Sequence, residues 1–190
     1  MDCSGYKTAT EPTVEPVTAA EMRAYLRLDD TSQDTMIDAL IASARSLLEK
    51  TSGRILCTTV VDVLFEDFDD DAEYPALILP ITPVQSITSI YYDISGVSTL
   101  LANSQYELRD YALFPSVVPA YRISWPTADE ESVIVKVSAG LSVAGPYDKI
   151  GCAIIKAMAA DLFEHPELTA EMALTENKSV ERMMSAFRTR

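Results

Sequence analysis

Hydrophobic residues near the start of the chain recur at helical spacing in two successive segments. In the first segment, Thr18 followed by Glu21 has the spacing of a capping box and predicts a helix over 19–27. The second segment predicts a longer amphipathic helix over 33–51, which Gly53 ends as a C-terminal cap. Its apolar stripe consists of Met36, Ile37, Leu40, Ile41, Ala44, Leu47 and Leu48.

The middle of the chain has a β pattern instead. β-branched runs bounded by proline, glycine and polar residues predict several short strands within 55–139. The predicted strands are 55–65, 76–79, 84–92, 99–102, 106–108, 112–114, 121–125 and 133–139. Gly96 lies in a segment, 93–98, that is typical of a hairpin turn.

Helical spacing returns after the strands. Apolar residues predict a helix over 147–164, which Pro166 ends, and a terminal amphipathic helix over 179–187. The order of elements predicts an α+β fold in which a helical bundle packs on an antiparallel sheet or small sandwich. We expect three regions: an extended N-terminal arm over 1–15, one domain over 16–166, and a linker with a C-terminal docking helix over 167–190.

The net charge is −14 over 190 residues, which disfavours binding to nucleic-acid phosphates. The charge is uneven, because the segment 177–190 carries four basic residues and one acidic residue. An acidic body with a basic, amphipathic end suggests that the C-terminal helix has a partner. The chain has no apolar run long enough to span a membrane, and its first residues lack the pattern of a secretion signal.

Catalytic and metal-binding patterns are sparse. Any Ser-His-Asp or Cys-His arrangement would need the single histidine, His165, whose position at a helix end favours a charge role at the helix terminus over catalysis. The six glycines form no phosphate-binding loop. Three separated cysteines indicate neither a disulfide framework nor a zinc site. The acidic segment 66–73 offers oxygen ligands but lacks EF-hand spacing, so we interpret it as a solvated loop. We therefore expect no enzyme activity, no metal and no cofactor.

Several phrases of this sequence occur in a familiar order. They are PVTAAEMRAYLRLDD, LIASARSLLEKTSGRIL, LPITPVQSITSIYYD, ISWP, VIVKVSAGL, the helix after Pro146, and SVERMMSAFR. In order and spacing the chain resembles the head-tail connector, or adaptor, proteins of long-tailed double-stranded DNA phages and phage-like particles. The resemblance covers nearly the whole chain, except the residues before Pro16 and the segment 167–178.

The resemblance implies a structural protein in the virion, made in the host cytoplasm. It implies a small helical bundle beside a β-rich body, and a ring of twelve copies that binds the portal protein on one side. A tail-side connector, stopper or terminator protein binds the other side, and double-stranded DNA passes through without sequence-specific contacts. An acidic channel wall repels DNA, so the resemblance makes Asp67, Asp69, Asp70 and Asp71 candidates for that wall.

The C-terminal helix has two interpretations. The connector family implies that it docks on the portal, and the docking candidates are Val180, Arg182, Met183, Met184, Phe187, Arg188 and Arg190. Alternatively, the helix packs back on its own domain. Asp29, Asp30 and Arg45 are candidates for contacts between neighbouring subunits of the ring.

Two other classes of function remain. The first is a small acidic binding or regulatory module that competes with DNA for a basic partner, and it would be a discrete monomer. The second is a metal-dependent hydrolase built on the acidic segment, in which Asp69, Asp70 and Asp71 would bind the metal.

Overall fold

The computed structural model describes residues 3–68, 75–110, 114–141, 149–165 and 178–187. The described helices are α1 (Ala19–Leu26), α2 (Asp34–Ser52), α3 (Lys149–Glu164) and α4 (Lys178–Phe187). The described strands are β1 (Cys3–Thr10), β2 (Thr59–Phe65), β3 (Leu77–Ile78), β4 (Val84–Ile94), β5 (Val97–Leu100), β6 (Tyr106–Arg109), β7 (Ser116–Pro119) and β8 (Val133–Ala139). The predicted α+β class is confirmed.

The chain divides into two compact units instead of one domain with appendages. The β unit contains Met1–Pro12 and Thr58–Gly140, and the helical unit contains Thr13–Cys57 and Leu141–Arg190. Each unit is therefore built from two separate parts of the sequence. Within the described residues, no helix is both long enough and apolar enough to cross a membrane.

The β unit contains an antiparallel five-stranded sheet in the order β1-β2-β8-β4-β5 and a three-stranded sheet in the order β3-β7-β6. On β2 and β8, buried residues alternate with partly or fully exposed ones. One face of the five-stranded sheet is thus the buried face, and the register pairs its residues directly, as with Val63 and Val135. We call the opposite side the outer face.

The predicted hairpin turn is present between β4 and β5. Ile94 pairs with Val97, and the two residues between them, Ser95 and Gly96, both have positive φ angles, 52° and 75°. A two-residue turn with two positive φ angles matches the right-handed twist of the flanking strands. Glycine at the second position adopts this conformation without a steric penalty.

The N-terminal segment, for which the sequence predicts an extended arm, forms edge strand β1 on β2 over Cys3–Thr10. Most of its side chains are exposed, so its sequence lacks the alternation that reveals a half-buried strand.

Residues 121–125, for which the sequence predicts a strand, do not form one. Arg122 has a φ of 63°, which is left-handed and interrupts an extended backbone. Ser116–Pro119 forms a strand instead, and the predicted strand at 112–114 lies mostly outside the described residues.

The start of the helical unit has the predicted capping box. The Thr18 side chain accepts from the Glu21 backbone N–H at 3.2 Å, and the Glu21 carboxylate accepts from the Thr18 backbone N–H at 3.0 Å. These bonds satisfy N–H groups that the first helical turn leaves unpaired. Gly53 caps α2 in the left-handed conformation, as predicted, with a φ of 69°.

The core of the helical unit is formed by α1, α2, α3 and α4 together with residues next to α1 and α2. Its buried members are Val17, Met22, Ile37, Ile41, Ala44, Leu48, Leu56, Cys57, Ile154, Ile155, Met158, Ala159 and Val180. Met36 of the predicted stripe lies outside the core and is 48% exposed, and at the start of α3 the apolar residue Ile150 is 44% exposed. Helical periodicity thus predicts which face of each helix is buried, but not the residue at which the buried stripe begins.

Candidate assembly surfaces

The C-terminal helix α4 packs on its own unit. Val180 is fully buried in the helical core, and Met183 packs partly buried against it. The structure therefore supports the interpretation in which the helix packs back on its own domain, and it removes Val180 from the exposed docking candidates. Arg182 is exposed. The side chains of Met184 and Phe187, and all of Arg188 and Arg190, lie outside the described residues.

An open groove lies between α3 and α4. Its lining consists of Lys149, Ile150, Ala153, Arg182 and Met183, and its volume is about 370 Å³. The apolar side chains form a surface to which Lys149 and Arg182 add positive charge. Such a groove suits a segment that carries both apolar and acidic side chains.

Arg45 is buried, contrary to its prediction as a subunit-interface residue. Its Nε atom donates to Glu15 at 2.7 Å, and its Nη1 atom donates to Glu49 at 2.7 Å. Glu49 in turn accepts from the backbone N–H of Leu56 at 2.7 Å. We call Glu15, Arg45 and Glu49 the ion triad. It joins α2 to the segments before α1 and after α2, so Arg45 acts inside the helical unit.

The surroundings of the ion triad shift three pKa values. Burial disfavours the Arg45 cation, but hydrogen bonds and charge from Glu15 and Glu49 outweigh burial and raise the pKa of the guanidinium. Burial is the largest influence on Glu49 and raises the pKa of its carboxyl group. Burial, with the neighbouring carboxylates, also raises the pKa of Cys57 to about 12. A thiol with this pKa is almost entirely protonated near neutral pH.

Asp29 and Asp30 are exposed between α1 and α2. Asp30 accepts hydrogen bonds from the backbone N–H of Ser32 at 2.8 Å and from its hydroxyl at 2.5 Å. The hydroxyl bond is the largest influence on Asp30 and lowers the pKa of the carboxyl group. Asp30 thus stabilises the turn before α2, and the exposure of both residues is compatible with a subunit contact.

One end of the β unit carries a group of carboxylates from three separate segments. The backbone N–H of Glu131 donates to the carbonyl of Glu66 at 2.7 Å, and that of Asp129 donates to the carbonyl of Asp93 at 2.9 Å. We call this group the acidic end, and its members are Glu66, Asp67, Asp93, Asp129, Glu130 and Glu131. Asp67 is exposed, whereas Asp69, Asp70 and Asp71 lie outside the described residues.

Only Glu66 and Asp67 of this acidic end belong to the acidic segment seen in the sequence, and the other four members lie elsewhere in the chain. Residues 129–131 follow the ISWP phrase, and only the backbone bonds of the folded unit bring them beside Glu66 and Asp93. Among the described residues, no group of three or more potential ligands has the geometry to hold a metal ion. The acidic end is therefore a charged surface without a preformed metal site.

A row of apolar side chains crosses the outer face of the five-stranded sheet. Leu64 pairs with Ile134, Ile134 with Tyr91, and Tyr91 with Leu100. Leu100 is 57% exposed, Tyr91 is 38% exposed and Ile134 is 37% exposed. The row ends at Gly5 on β1, which pairs with Leu64. The row cannot be recognised in the sequence, because its members lie on four different strands and alternate with polar residues.

A recess lies at the Gly5 end of this row. It is lined by Gly5, Tyr6, Lys7, Asp62, Leu64 and Ile134 and has a volume of about 280 Å³. A side-chain Cβ placed on Gly5 would meet no atom within 4 Å. The missing side chain of this glycine therefore leaves open space in the sheet surface.

Comparison with solved structures finds the same fold in gene transfer agent particles. A chain in the neck of an empty particle, computed with C6 symmetry, has a TM-score of 0.74 at 19% identity, covering 98% of this chain and 96% of that one. A chain of the native virion has a TM-score of 0.73 at 20% identity, covering 97% and 95%. A chain in the native neck, computed with C12 symmetry, has a TM-score of 0.71 at 19% identity, covering 98% and 96%.

The similarity covers both the helical unit and the β unit in each case. No protein-family model matches the sequence, and no curated protein does. At 19–20% identity the comparison shows a shared fold along nearly the full length of both chains.

Proposed function

We propose that this protein is a head-tail adaptor in the neck of a phage or phage-like particle, where copies form a ring between the portal and the tail-side proteins. The observation that carries the proposal is the match of the whole fold to neck chains, with at least 95% of each chain covered in both directions. A shared fold alone leaves function open. Here the order of sequence motifs along the chain independently resembles the same class of protein.

The symmetry of the neck structures supports a ring. Two of the similar chains belong to necks computed with C6 and C12 symmetry. In a closed ring, one surface of each subunit meets a different surface of the next subunit. We propose a ring of twelve copies, with the exposed Asp29 and Asp30 near a neighbouring subunit.

The acidic end is our candidate for the wall of the DNA channel. Its exposed carboxylates include Glu66, Asp67, Glu130 and Glu131. A negative wall repels the phosphate backbone, so DNA slides past without being held. Replacing Asp67 and Glu66 with lysine should make the ring retain DNA fragments in low-salt electrophoresis, whereas the unchanged ring should release them.

For portal binding we propose the groove between α3 and α4 together with the basic C-terminal end. Because Val180 holds α4 on its own unit, the exposed groove and its cations are better suited to an outside partner than the buried stripe. Arg182 would pair with acidic portal residues, together with Arg188 and Arg190, which lie outside the described residues.

Electron microscopy of the protein mixed with the portal from the same genome tests both points. The full chain should add a ring to the portal. Arg182→Glu should weaken that addition, because it reverses a charge on an exposed residue without disturbing Val180. Lys50→Glu is the matched control, since Lys50 is also an exposed cation in the helical unit, and it should leave the ring intact.

Two outcomes would count against the proposal. A chain that stays monomeric and leaves the portal bare would exclude the adaptor role and favour the acidic module that competes with DNA. A ring that forms equally well with Arg182→Glu would keep the adaptor role and exclude the groove as the portal contact.

A further inference from the structure

The hairpin between β4 and β5 ends in exposed apolar residues. At its tip, Ile94 is 46% exposed and Val97 is 65% exposed. Asp129 supports the tip, since its carboxylate accepts from the Gly96 backbone N–H at 2.8 Å. We call residues 94–97 the hairpin tip. The hairpin tip thus presents two neighbouring apolar side chains to solvent on a turn that is fixed by a hydrogen bond.

The recess at Gly5 lies at the other edge of the same sheet. Its apolar wall is formed by Leu64 and Ile134, and the exposed Lys7 lies on its rim. An apolar cavity of about 150 Å³ accommodates one benzene molecule. The recess, with a volume of about 280 Å³, therefore has room for one or two aliphatic side chains such as those of the hairpin tip.

The hairpin tip and the recess cannot meet within one molecule. Strands β1 and β5 are the two edges of the five-stranded sheet, and β2, β8 and β4 lie between them. At a strand spacing of about 4.8 Å, the two edges are about 19 Å apart. Only a second molecule can bring a hairpin tip to the recess.

We propose that the hairpin tip of one copy inserts into the recess of the next copy. This inference rests on the proposed ring and specifies one of its subunit contacts. Charge supports the choice of partner. Asp129 contacts the hairpin tip and is followed by Glu130 and Glu131. Lys7 borders the recess, where the carboxylate of Asp62 is already paired with Lys136 at 3.4 Å. The contact joins two different surfaces, so it repeats in one direction as ring formation requires.

Disulfide cross-linking between two differently labelled copies tests the contact. One copy carries Val97→Cys and the other carries Gly5→Cys, both with Cys3→Ser so that the native cysteine on β1 does not react. Gly5 tolerates the new side chain, since its Cβ would meet no atom within 4 Å. The two copies are mixed with the portal from the same genome and oxidised, and mass spectrometry identifies the linked peptides.

A link between positions 97 and 5 in the mixture, and none in either copy alone, is the expected result. A link between two copies of Val97→Cys would show a symmetric contact and overturn the proposal. Rings on the portal without the mixed link would overturn this contact while leaving the adaptor role in place. The mixed link without any portal binding would support the contact and count against the adaptor role.

Filling the recess provides a second test that does not depend on oxidation. Gly5→Phe should lower the self-association constant at least about tenfold in sedimentation measurements, because the phenyl group occupies the space for the hairpin tip. Gly5→Ala is the matched control and should change it less than threefold. Equal self-association of both variants and the unchanged protein would contradict the proposal.

Discussion

The helical unit and the β unit differ in what their interiors contain. Among the described residues, the helical unit buries the charged side chains Arg45 and Glu49, whereas the buried polar side chains of the β unit are the uncharged Thr59 and Ser132. The β unit instead has an aromatic cluster around Phe68. The Phe68 ring stacks on Trp125 with 4.9 Å between ring centroids, and it meets Tyr92 edge to face with 5.4 Å between centroids.

This difference shows two ways of joining distant segments. In the β unit, Phe68 follows β2, Tyr92 is on β4, and Trp125 donates to the carbonyl of Pro75 at 2.9 Å. Contacts between aromatic rings, with a hydrogen bond from Trp125, thus help to join these segments. In the helical unit the ion triad does so, because its hydrogen bonds join α2 to Glu15 and to the backbone of Leu56. Losing one side chain should therefore have different consequences in each unit.

Phe68→Ala should have the largest effect on stability. Phe68 is 1% exposed, and truncating a buried phenylalanine costs about 4 kcal/mol. Urea denaturation followed by the fluorescence of Trp125, the single tryptophan, reports this loss within the β unit. Phe114→Ala is the control at an exposed phenylalanine and should cost less than about 1 kcal/mol. Similar losses for both variants would contradict the assigned core.

Arg45→Met should destabilise the helical unit by about 3 kcal/mol, because it leaves the Glu49 carboxylate buried without its cation. We expect a loss at the low end of the range for breaking a buried ion pair, because the side chain of Glu15 is 29% exposed and retains contact with water. Circular dichroism at 222 nm during urea denaturation measures the change. Lys50→Met removes an exposed cation from the same helix and should cost less than about 0.5 kcal/mol. A loss no larger than in this control would show that the triad contributes little.

Cys57 should react at least about tenfold more slowly than Cys3 and Cys152 with a thiol reagent at pH 8. Its pKa is raised to about 12, so very little thiolate is present, whereas the other two cysteines are only partly buried. Mass spectrometry after timed labelling distinguishes the three sites. The difference should disappear in denaturant, and a fast reaction of Cys57 in the native protein would contradict its burial beside the triad.

Glu21→Gln should have the smallest effect, about 0.5 kcal/mol at pH 7. The hydrogen bond from the Thr18 backbone N–H is the largest influence and lowers the pKa of Glu21 below its ordinary value of 4.5. A lowered carboxyl pKa stabilises the folded state above pH 4.5, and this contribution is lost as the pH falls through the folded-state pKa. The stability difference between the two proteins should therefore shrink toward zero near pH 3. A difference that persists there would show that the charge of Glu21 is unimportant.

Local sequence predicted the helices and caps well. The bounds of α1 and α2 differ by one residue from prediction, and β8 and the β4–β5 turn were predicted at their observed positions. These features depend on side chains within a few residues of one another, so periodicity and turn residues were sufficient.

The burial of Arg45 and the pairing of β1 with β2 could not be predicted in this way. Arg45 lies on a helix face that appears solvent-facing in the sequence, but Glu15, thirty residues away, and Glu49 accompany it into the interior. The recess at Gly5 likewise depends on the register between β1 and β2. Each of these results from contacts between residues far apart in the sequence.

The sequence by itself determined the α+β class, the helix ends, the hairpin turn and the acidic charge of this protein, because these depend on local conformational preference and composition. Only the tertiary structure decided which segments share a unit, that Val180 holds α4 on the helical core, and that the acidic end and the outer apolar row exist as surfaces. The physical reason is that a surface is formed by side chains from several segments, and strand register and helix packing decide which side chains become neighbours.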